Sequence, residues 1–350
     1  MGRHTIVAVD LFCGVGGLTH GLVKGGVEVR AGIDLDPDCK FPYEQNNNAT
    51  FVEADVKTLE AGDVATHFGD AQLRLLAGCA PCQSFSTYSR SGRSRNRELD
   101  WQLVASFGRL IMDIKPELVT MENVPQLADH EVFSNFLQCL SGYSVKWEVV
   151  ECSALGVPQS RRRLVLLASL LGGRGLALPK LATAPPTVRE VIGALPSLPA
   201  GGKHADDALH TAPRLSPLNL RRIKSSRPGG SWRDWEPSLR AACHQKASGA
   251  TYPSVYGRME WDKVAPTMTT QCFGYGNGRF GHPQQNRAIS LREAAMLQTF
   301  PATYAFVPDG EPVRFNKLGR LIGNAVPVRL GEVIAGVLRG HVAANPDPRT

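Results

Sequence analysis

The sequence predicts an α/β protein with a doubly wound, mostly parallel sheet of the Rossmann-like kind, carrying a second, smaller domain. Two observations lead there. Over the first two-fifths of the chain, short apolar runs that end in glycine or polar residues alternate with stretches of helical character, which is the rhythm of βα units. Between about 183 and 285 that rhythm is lost and Pro, Gly, Arg and Trp accumulate, marking a separate, loop-rich module.

The apolar runs at 6–12, 27–33, 51–53, 73–77, 118–121 and 163–168 read as strands, since each is short and bounded by breakers or charge. Gly172, Gly173, Gly175, Pro185 and Pro186 then interrupt the chain where one domain gives way to the next. Ser290 and Glu293 stand three apart at the head of an apolar segment, so a helix is expected over 290–298 with Ser290 as N-cap and a reciprocal capping box. A last helix is expected over 327–338, with the tail frayed from 343 onward. The expected domains are 1–182 completed by 320–350, and 183–319, whose irregular part is 183–285.

The 350 residues are 43% hydrophobic and 20% charged, a globular composition able to bury a sizeable core. No run of about 18 apolar residues occurs, and the N-terminus leads into a strand rather than a signal segment, so a soluble, cytoplasmic protein without a membrane partner is expected. Eight irregularly spaced cysteines do not form a disulfide framework, which leaves thiols free to react. The formal charge of +7 suits a polyanionic partner. Between 203 and 246, nine Lys or Arg outnumber four Asp or Glu, with Trp232 and Trp235 interleaved. Arg90, Arg93, Arg95 and Arg97 crowd a Ser/Gly/Arg loop. Both stretches would suit a phosphate backbone, and both would look the same as solvated surface loops.

Residues 78–86, Gly-Cys-Ala-Pro-Cys-Gln-Ser-Phe-Ser, set Cys82 behind a proline at the end of the run 73–77. Pro81 cannot extend a ladder, so this thiol stands at a strand's carboxyl end, where open parallel sheets bind ligands and do chemistry. Cys82 thereby reads as a nucleophile. Inert packing remains open for any one cysteine, and Cys79-x-x-Cys82 also fits a redox pair. Half of a zinc site fits less well, because no second C-x-x-C or H-x-x-x-H completes four ligands.

Asp10 to Leu18 carries a first strand into a glycine loop (Gly14, Gly16, Gly17) that opens a helix, a place where backbone can approach a ligand closely. Asp34 ends the second run, twenty positions after Gly14, the spacing at which an acid grips ribose hydroxyls. A nucleoside cofactor follows, although Gly14-x-Gly16-Gly17 lacks the third glycine of the dinucleotide fingerprint. Asp55 reads equally as an adenine contact or a solvated loop carboxylate. Glu122 ends the run 118–121 and brings an acid to the edge that carries Cys82, a pairing suited to covalent catalysis with proton transfer. In Gln159-Ser160-Arg161-Arg162-Arg163, a strand period of two would put Arg161 and Arg163 on one face as a clamp.

Six motifs in this order resemble the DNA (cytosine-5)-methyltransferases of bacterial restriction and modification type: 10–18, Pro81-Cys82-Gln83, Glu122-Asn123-Val124, Gln159-x-Arg161-x-Arg163, 292–301 and Gly323-Asn324-Ala325-Val326-Pro327. The resemblance covers nearly the whole chain. It implies S-adenosyl-L-methionine as cofactor, double-stranded DNA as partner, a catalytic domain at 1–182 plus 320–350 and a target-recognition domain at 183–319. It implies that Cys82 adds to carbon 6 of a flipped cytosine, that Glu122 holds or protonates N3, and that Arg161 and Arg163 position the base or its phosphate. Phe12 would stack on adenine, Asp34 bind the ribose, Asp55 the adenine amine, and Gly14, Gly16 and Asn324 line the methionine end. Gly17, Leu18, Leu35, Val56, Pro81 and Val326 complete the implied cofactor set. Leu35 stands where some members of the family place an aromatic. Gln83, Ser86, Arg90, Arg93, Arg95, Arg97, Arg227, Arg233, Thr267 and Thr269 form the implied DNA-binding set. Cys79 is then a packing residue, no metal is expected, and a monomer is expected whose functional counterpart is a restriction endonuclease. A transfer-RNA branch of the family, with Cys272-Phe273-Gly274 as a partial match to its Cys-Phe-Thr, a thiol oxidoreductase and a non-catalytic DNA binder are the alternatives.

Overall fold

The computed structural model describes residues 5–81, 93–180, 184–246, 249 and 252–345, with backbone alone over 93–99. Strand and helix alternate through β1 (Ile6–Leu11), α1 (Gly17–Lys24), β2 (Glu28–Asp34), α2 (Lys40–Asn46), β3 (Thr50–Glu53), α3 (Ala61–Thr66), β4 (Leu73–Gly78), α4 (Arg93–Ile114), β5 (Leu118–Asn123) and α5 (Glu131–Cys139). Two strands follow, β6 (Ser144–Glu151) and β7 (Arg162–Ser169). Irregular chain then separates α6 (Val188–Ile192), α7 (Pro217–Lys224), α8 (Leu291–Leu297) and α9 (Phe315–Asn324) before α10 (Val328–Ala344).

The strands form one seven-stranded sheet in the order β3-β2-β1-β4-β5-β7-β6. β1 to β5 are mutually parallel, whereas β7 runs antiparallel to both of its neighbours. Every residue of β1 and β5 is buried, as parallel strands covered on both faces require. The winding direction reverses between β1 and β4, the switch point at whose carboxyl ends open α/β sheets bind ligands. β6 lies at the sheet's edge with Lys146, Trp147 and Glu148 exposed, and this interleaved charge is why no apolar run announced it.

Two compact units emerge: Met1–Leu155 with Arg162–Ala182 and Val326–Thr350, and Gly156–Arg161 with Thr183–Ala325. The division departs from the expected boundaries at two places. Residues 156–161 go with the second unit because Ser160 N donates to Ala265 O at 2.8 Å and Ala265 N to Pro158 O at 2.9 Å. The return to the first unit comes at Val326 rather than 320, because α9 seats its glycines against the second unit: a Cβ on Gly323 would fall 2.2 Å from the Thr269 carbonyl carbon. A third departure concerns α4. Arg93, Arg95 and Arg97 lie on helical backbone rather than in a loop, since 93–107 contains neither Gly nor Pro and is rich in helix formers. Arg90 lies outside the described residues.

In the first unit α10 packs on α1 through glycines. A Cβ at Gly21 would stand 2.2 Å from Val328 O, and one at Gly331 would stand 2.8 Å from Leu18 O. Among its described residues the second unit has isolated bridges but no ladder, and buried guanidiniums take over the satisfying of carbonyls. Arg258 donates to the carbonyls of Ile223, Ser226, His282 and Gln285. Ser226 Oγ accepts from Trp235 Nε1 at 2.9 Å and stands 2.8 Å from the Tyr275 hydroxyl, in a cluster with Ile223 and Trp232. The capping box of Ser290 and Glu293 is formed as expected, and Arg287 grips both oxygens of Glu293 at 2.7 Å. The most apolar helical stretch, within Phe315–Ala344, is 67% buried in the protein, where core helices carry such composition.

Candidate active site

Strand register gathers the chemistry. Leu11 pairs with Ile33 and with Gly78, and Gly78 pairs with Met121, so 12–16, Asp34, 79–81 and Glu122 all leave the sheet at one edge. Phe12, Gly14 and Gly16 adopt φ of 56°, 52° and 86°, which turns the chain sharply and makes Gly16 the N-cap of α1. The space beside Gly14 is open, with nothing within 4 Å of its Cβ direction. Asp34 accepts from Gly14 N through Oδ2 and from Asp36 N through Oδ1, both at 2.9 Å. Burial pushes the Asp34 carboxyl up, and those amides oppose the shift. Leu35 beside it is 62% exposed. Asp55 is half-buried, accepting from Lys57 N at 3.0 Å and lying 3.3 Å from its ammonium. Pro81 and Asn324 are exposed, Asn324 at the end of α9 in the second unit. Leu18 and Val56, expected at the cofactor, have side chains that are 2% exposed, and Gly17 and Val326 are buried. Leu18 and Val56 can offer a ligand only backbone, because their apolar side chains are drawn into the core.

Asp10 was missed. Its Oδ2 accepts from Thr19 Oγ1 at 2.7 Å, and Thr19 lies 3.1 Å from the Tyr43 hydroxyl, but Oδ1 is buried with no hydrogen-bond partner. Burial pushes this carboxyl up to about 7, with the Thr19 bond opposing and the Asp34 charge adding. An acid inside the apolar run Ile-Val-Ala-Val-Asp-Leu was the available signal.

Glu122, 2% exposed, is held from both sides. Arg163 Nε stands 2.8 Å from Oε1, an ion pair without hydrogen-bond alignment, and the Cys79 thiol donates to Oε2 at 2.8 Å. Cys79 is therefore more than packing. Asn123 Nδ2 donates to Ala80 O at 3.2 Å while its Oδ1 accepts from Val124 N at 2.8 Å, tying the turn before Pro81 to the end of β5. Cys82, Gln83 and Ser86 lie outside the described residues. Among the described residues no cluster of three His, Cys, Asp or Glu has metal-binding proximity.

The expected pairing of Arg161 with Arg163 does not form. β7 begins at Arg162, so the period of two does not reach Arg161. Arg161 is 3% exposed and donates to Met268 O at 3.1 Å and Ala325 O at 3.4 Å within the second unit. Gln159 joins it there, accepting from Met268 N at 2.8 Å and donating to Leu297 O at 3.1 Å and Gln298 Oε1 at 2.9 Å. Thr267 Oγ1 donates to Ser160 O at 2.5 Å, and Thr269 is half-buried. Arg227 is 75% exposed at its side chain and 3.4 Å from Asp234, and Arg233 lies over the Trp232 ring at 5.6 Å.

A doubly wound sheet with one antiparallel strand, a glycine loop and acid at its first two strand ends, and a clamped carboxylate beside the switch point define a Rossmann-like fold of the methyltransferase type. The chain belongs to the C-5 cytosine-specific DNA methylase family, whose match spans residues 6–339, and it is an enzyme of that kind. It is 53% identical over 336 residues to the Type II methylase M.HgiDII of Herpetosiphon aurantiacus, covering 93% of each chain. It is 28% identical over 340 residues to the Type II methyltransferase M1.HphI of Haemophilus parahaemolyticus, covering 95% of this chain and 86% of that one. Its fold resembles that of an E. coli prophage protein described as a DNA modification methyltransferase, with a TM-score of 0.73, 21% identity and coverage of 97% and 100%.

Proposed function

We propose that Cys82 attacks carbon 6 of a cytosine flipped out of duplex DNA, that Glu122 manages the proton at N3, and that S-adenosyl-L-methionine is the methyl donor. The observation carrying this reading is the clamped carboxylate: Glu122 stands at the switch-point edge on the strand beside the one that leads into Cys82, with Arg163 on one oxygen and Cys79 on the other. Carbon 5 of cytosine is too weak a nucleophile to accept a methyl group unaided. Addition of the Cys82 thiolate forms the S–C6 bond and pushes electrons toward N3, where Glu122 donates a proton or a hydrogen bond, leaving carbon 5 enamine-like. Loss of the carbon 5 proton after methylation restores the ring and expels the thiolate. The base must leave the duplex because its face is otherwise stacked.

The residues at the ends of β1 and β2 fit the cofactor. Asp10 Oδ1 is a buried orphan acceptor, Gly14 borders open space, and Leu35 presents an exposed apolar face next to Asp34. Phe12, Gly14, Gly16, Asp34, Leu35, Asp55 and Pro81 would hold it, with Gly17, Leu18, Val56 and Val326 supporting through backbone and packing. When bound, this cofactor supplies an electrophilic methyl group. Arg163 is the arginine that acts at the base, through Glu122, while Arg161 holds the chain at Met268. The first unit serves as catalytic domain and the second as target-recognition domain, with Arg227, Arg233, Thr267 and Thr269 of the second as its candidate DNA contacts. The Type II relatives support a restriction endonuclease as functional counterpart, and a monomer in the cytoplasm suffices for the reaction. The transfer-RNA and oxidoreductase readings are not favoured, since the family is one of DNA methylases.

DNA containing 5-fluorocytosine tests the covalent step, because the carbon 5 fluorine cannot leave and the protein stays attached. Cys82→Ser should abolish adduct and methyl transfer, while Cys79→Ser keeps most of the transfer. No adduct in the presence of cofactor, or equal loss from both serine variants, defeats the proposal. Bisulfite sequencing of DNA from a methylation-free host expressing the chain identifies the recognition sequence.

A further inference from the structure

We propose that Cys79 is a positioning residue, whose thiol hydrogen fixes the plane of the Glu122 carboxylate for the incoming cytosine. This rests on the role given to Glu122 above. The last torsion of a glutamate is broad and nearly two-fold, so a carboxylate held at a single oxygen swings about that contact. Arg163 Nε stands 2.8 Å from Oε1 as an ion pair. The second oxygen is pinned by a hydrogen bond from Cys79 Sγ at 2.8 Å, and an ion pair on one oxygen with a hydrogen bond on the other fixes the orientation of the group. N3 and the exocyclic amine of cytosine are coplanar, so a carboxylate turned out of that plane meets only one of them well.

Backbone delivers the thiol to this place. Gly78 pairs with Met121 in parallel register, which sets Cys79 beside Glu122, and Cys79 N donates to Leu11 O at 3.3 Å on the opposite side. Asn123 secures the next residue through the Ala80 carbonyl. A thiol is a weak donor, so it aligns the carboxylate without outcompeting the ring nitrogens when the base arrives.

The test uses full-length Cys79→Ala, Cys79→Val and Cys79→Ser in steady-state methyl transfer with saturating cofactor. Ala and Val, which cannot donate, should lower kcat about fivefold to tenfold, with the KM for DNA and the melting temperature close to those of the unmodified enzyme. Ser, which donates, should recover most of the rate. In infrared spectra, the S–H stretch isolated by subtracting Cys79→Ala should move toward higher frequency in Glu122→Gln, where the acceptor is no longer a carboxylate. Unchanged kcat in Ala and Val, or a Ser variant as slow as Val, overturns the role, as does an S–H band indifferent to Glu122→Gln. Unmodified enzyme that transfers no methyl group overturns the proposed function and this role with it. Normal transfer with an unaffected Cys79→Ala variant overturns the Cys79 role alone.

Discussion

The tightest approach of backbone to a glycine in the first unit makes a quantitative demand on Gly21. Replacing it by alanine puts a Cβ 2.2 Å from Val328 O and 2.7 Å from both Glu332 N and Gly331 Cα. All three are backbone atoms of α10, so no flexible side chain can give way and the two helices must separate. Overpacking of this kind costs about 1–3 kcal/mol, and three backbone overlaps place Gly21→Ala near the top of that range. Alanine recovers about 1 kcal/mol of helix propensity relative to glycine, which leaves a net loss of about 2 kcal/mol. Gly336 offers the internal control. It lies in α10 with nothing within 4 Å of its Cβ direction, so Gly336→Ala receives the propensity gain without the clash. Denaturant and thermal midpoints of the two variants should move in opposite directions, by about 2 kcal/mol downward and about 0.5–1 kcal/mol upward. Equal stability of the two variants would refute the claim that α1 and α10 meet backbone to backbone.

Other outcomes follow from the polar interior. His282 accepts two amides at Nδ1, from Gln284 and Gln285, and burial pushes it down to about 4, so the folded state binds its proton later than the unfolded state does. Stability present above the unfolded value near 6.5 is therefore lost as pH falls toward 4, by up to about 3 kcal/mol. His282→Asn should flatten this slope in denaturation midpoints taken between pH 7 and 4. Gln159→Ala strands Met268 N and Leu297 O, costing about 1–3 kcal/mol for each group left unpaired; hydrogen exchange at the Met268 amide should accelerate. Arg163→Lys keeps charge but loses the planar fork and should lower kcat more than it raises the KM for DNA, whereas Arg163→Ala leaves Glu122 as a buried unpaired charge at a cost of about 3–5 kcal/mol, visible as a fall in melting temperature.

Much of the sheet was legible in sequence because β1 and β5 are buried throughout and β4 and β7 are buried over most of their length, so they read as apolar runs, while β2 keeps enough of one despite Glu28 and Arg30. β6 was not, since an edge strand can expose Lys146 and Glu148 without cost. The residues at strand ends were legible for a related reason: where an apolar run stops at Asp34 or Glu122, the side chain must face the sheet's edge. What could not be read was who meets whom across the sheet. Cys79 and Glu122 are 43 positions apart and become neighbours only through the β4/β5 register. Arg161 misled because the strand begins one residue later than its alternation suggested, which moved its guanidinium to a different set of carbonyls.

The glycine contact between α1 and α10 also has a consequence for how the molecule is made. Translation delivers β1 and α1 first and α10 last, with the whole of the second unit emerging between them. Until α10 arrives, the glycine face of α1 has no partner, and the loop of Gly14 and Gly16 is carried by a helix whose packing is incomplete. The nascent chain thus leaves that face of α1 open while the second unit is still being synthesised. Ordering the chain in this way makes the packing of α1 wait for the last helix, so a chain cut before α10 would leave the face around Gly21 uncovered.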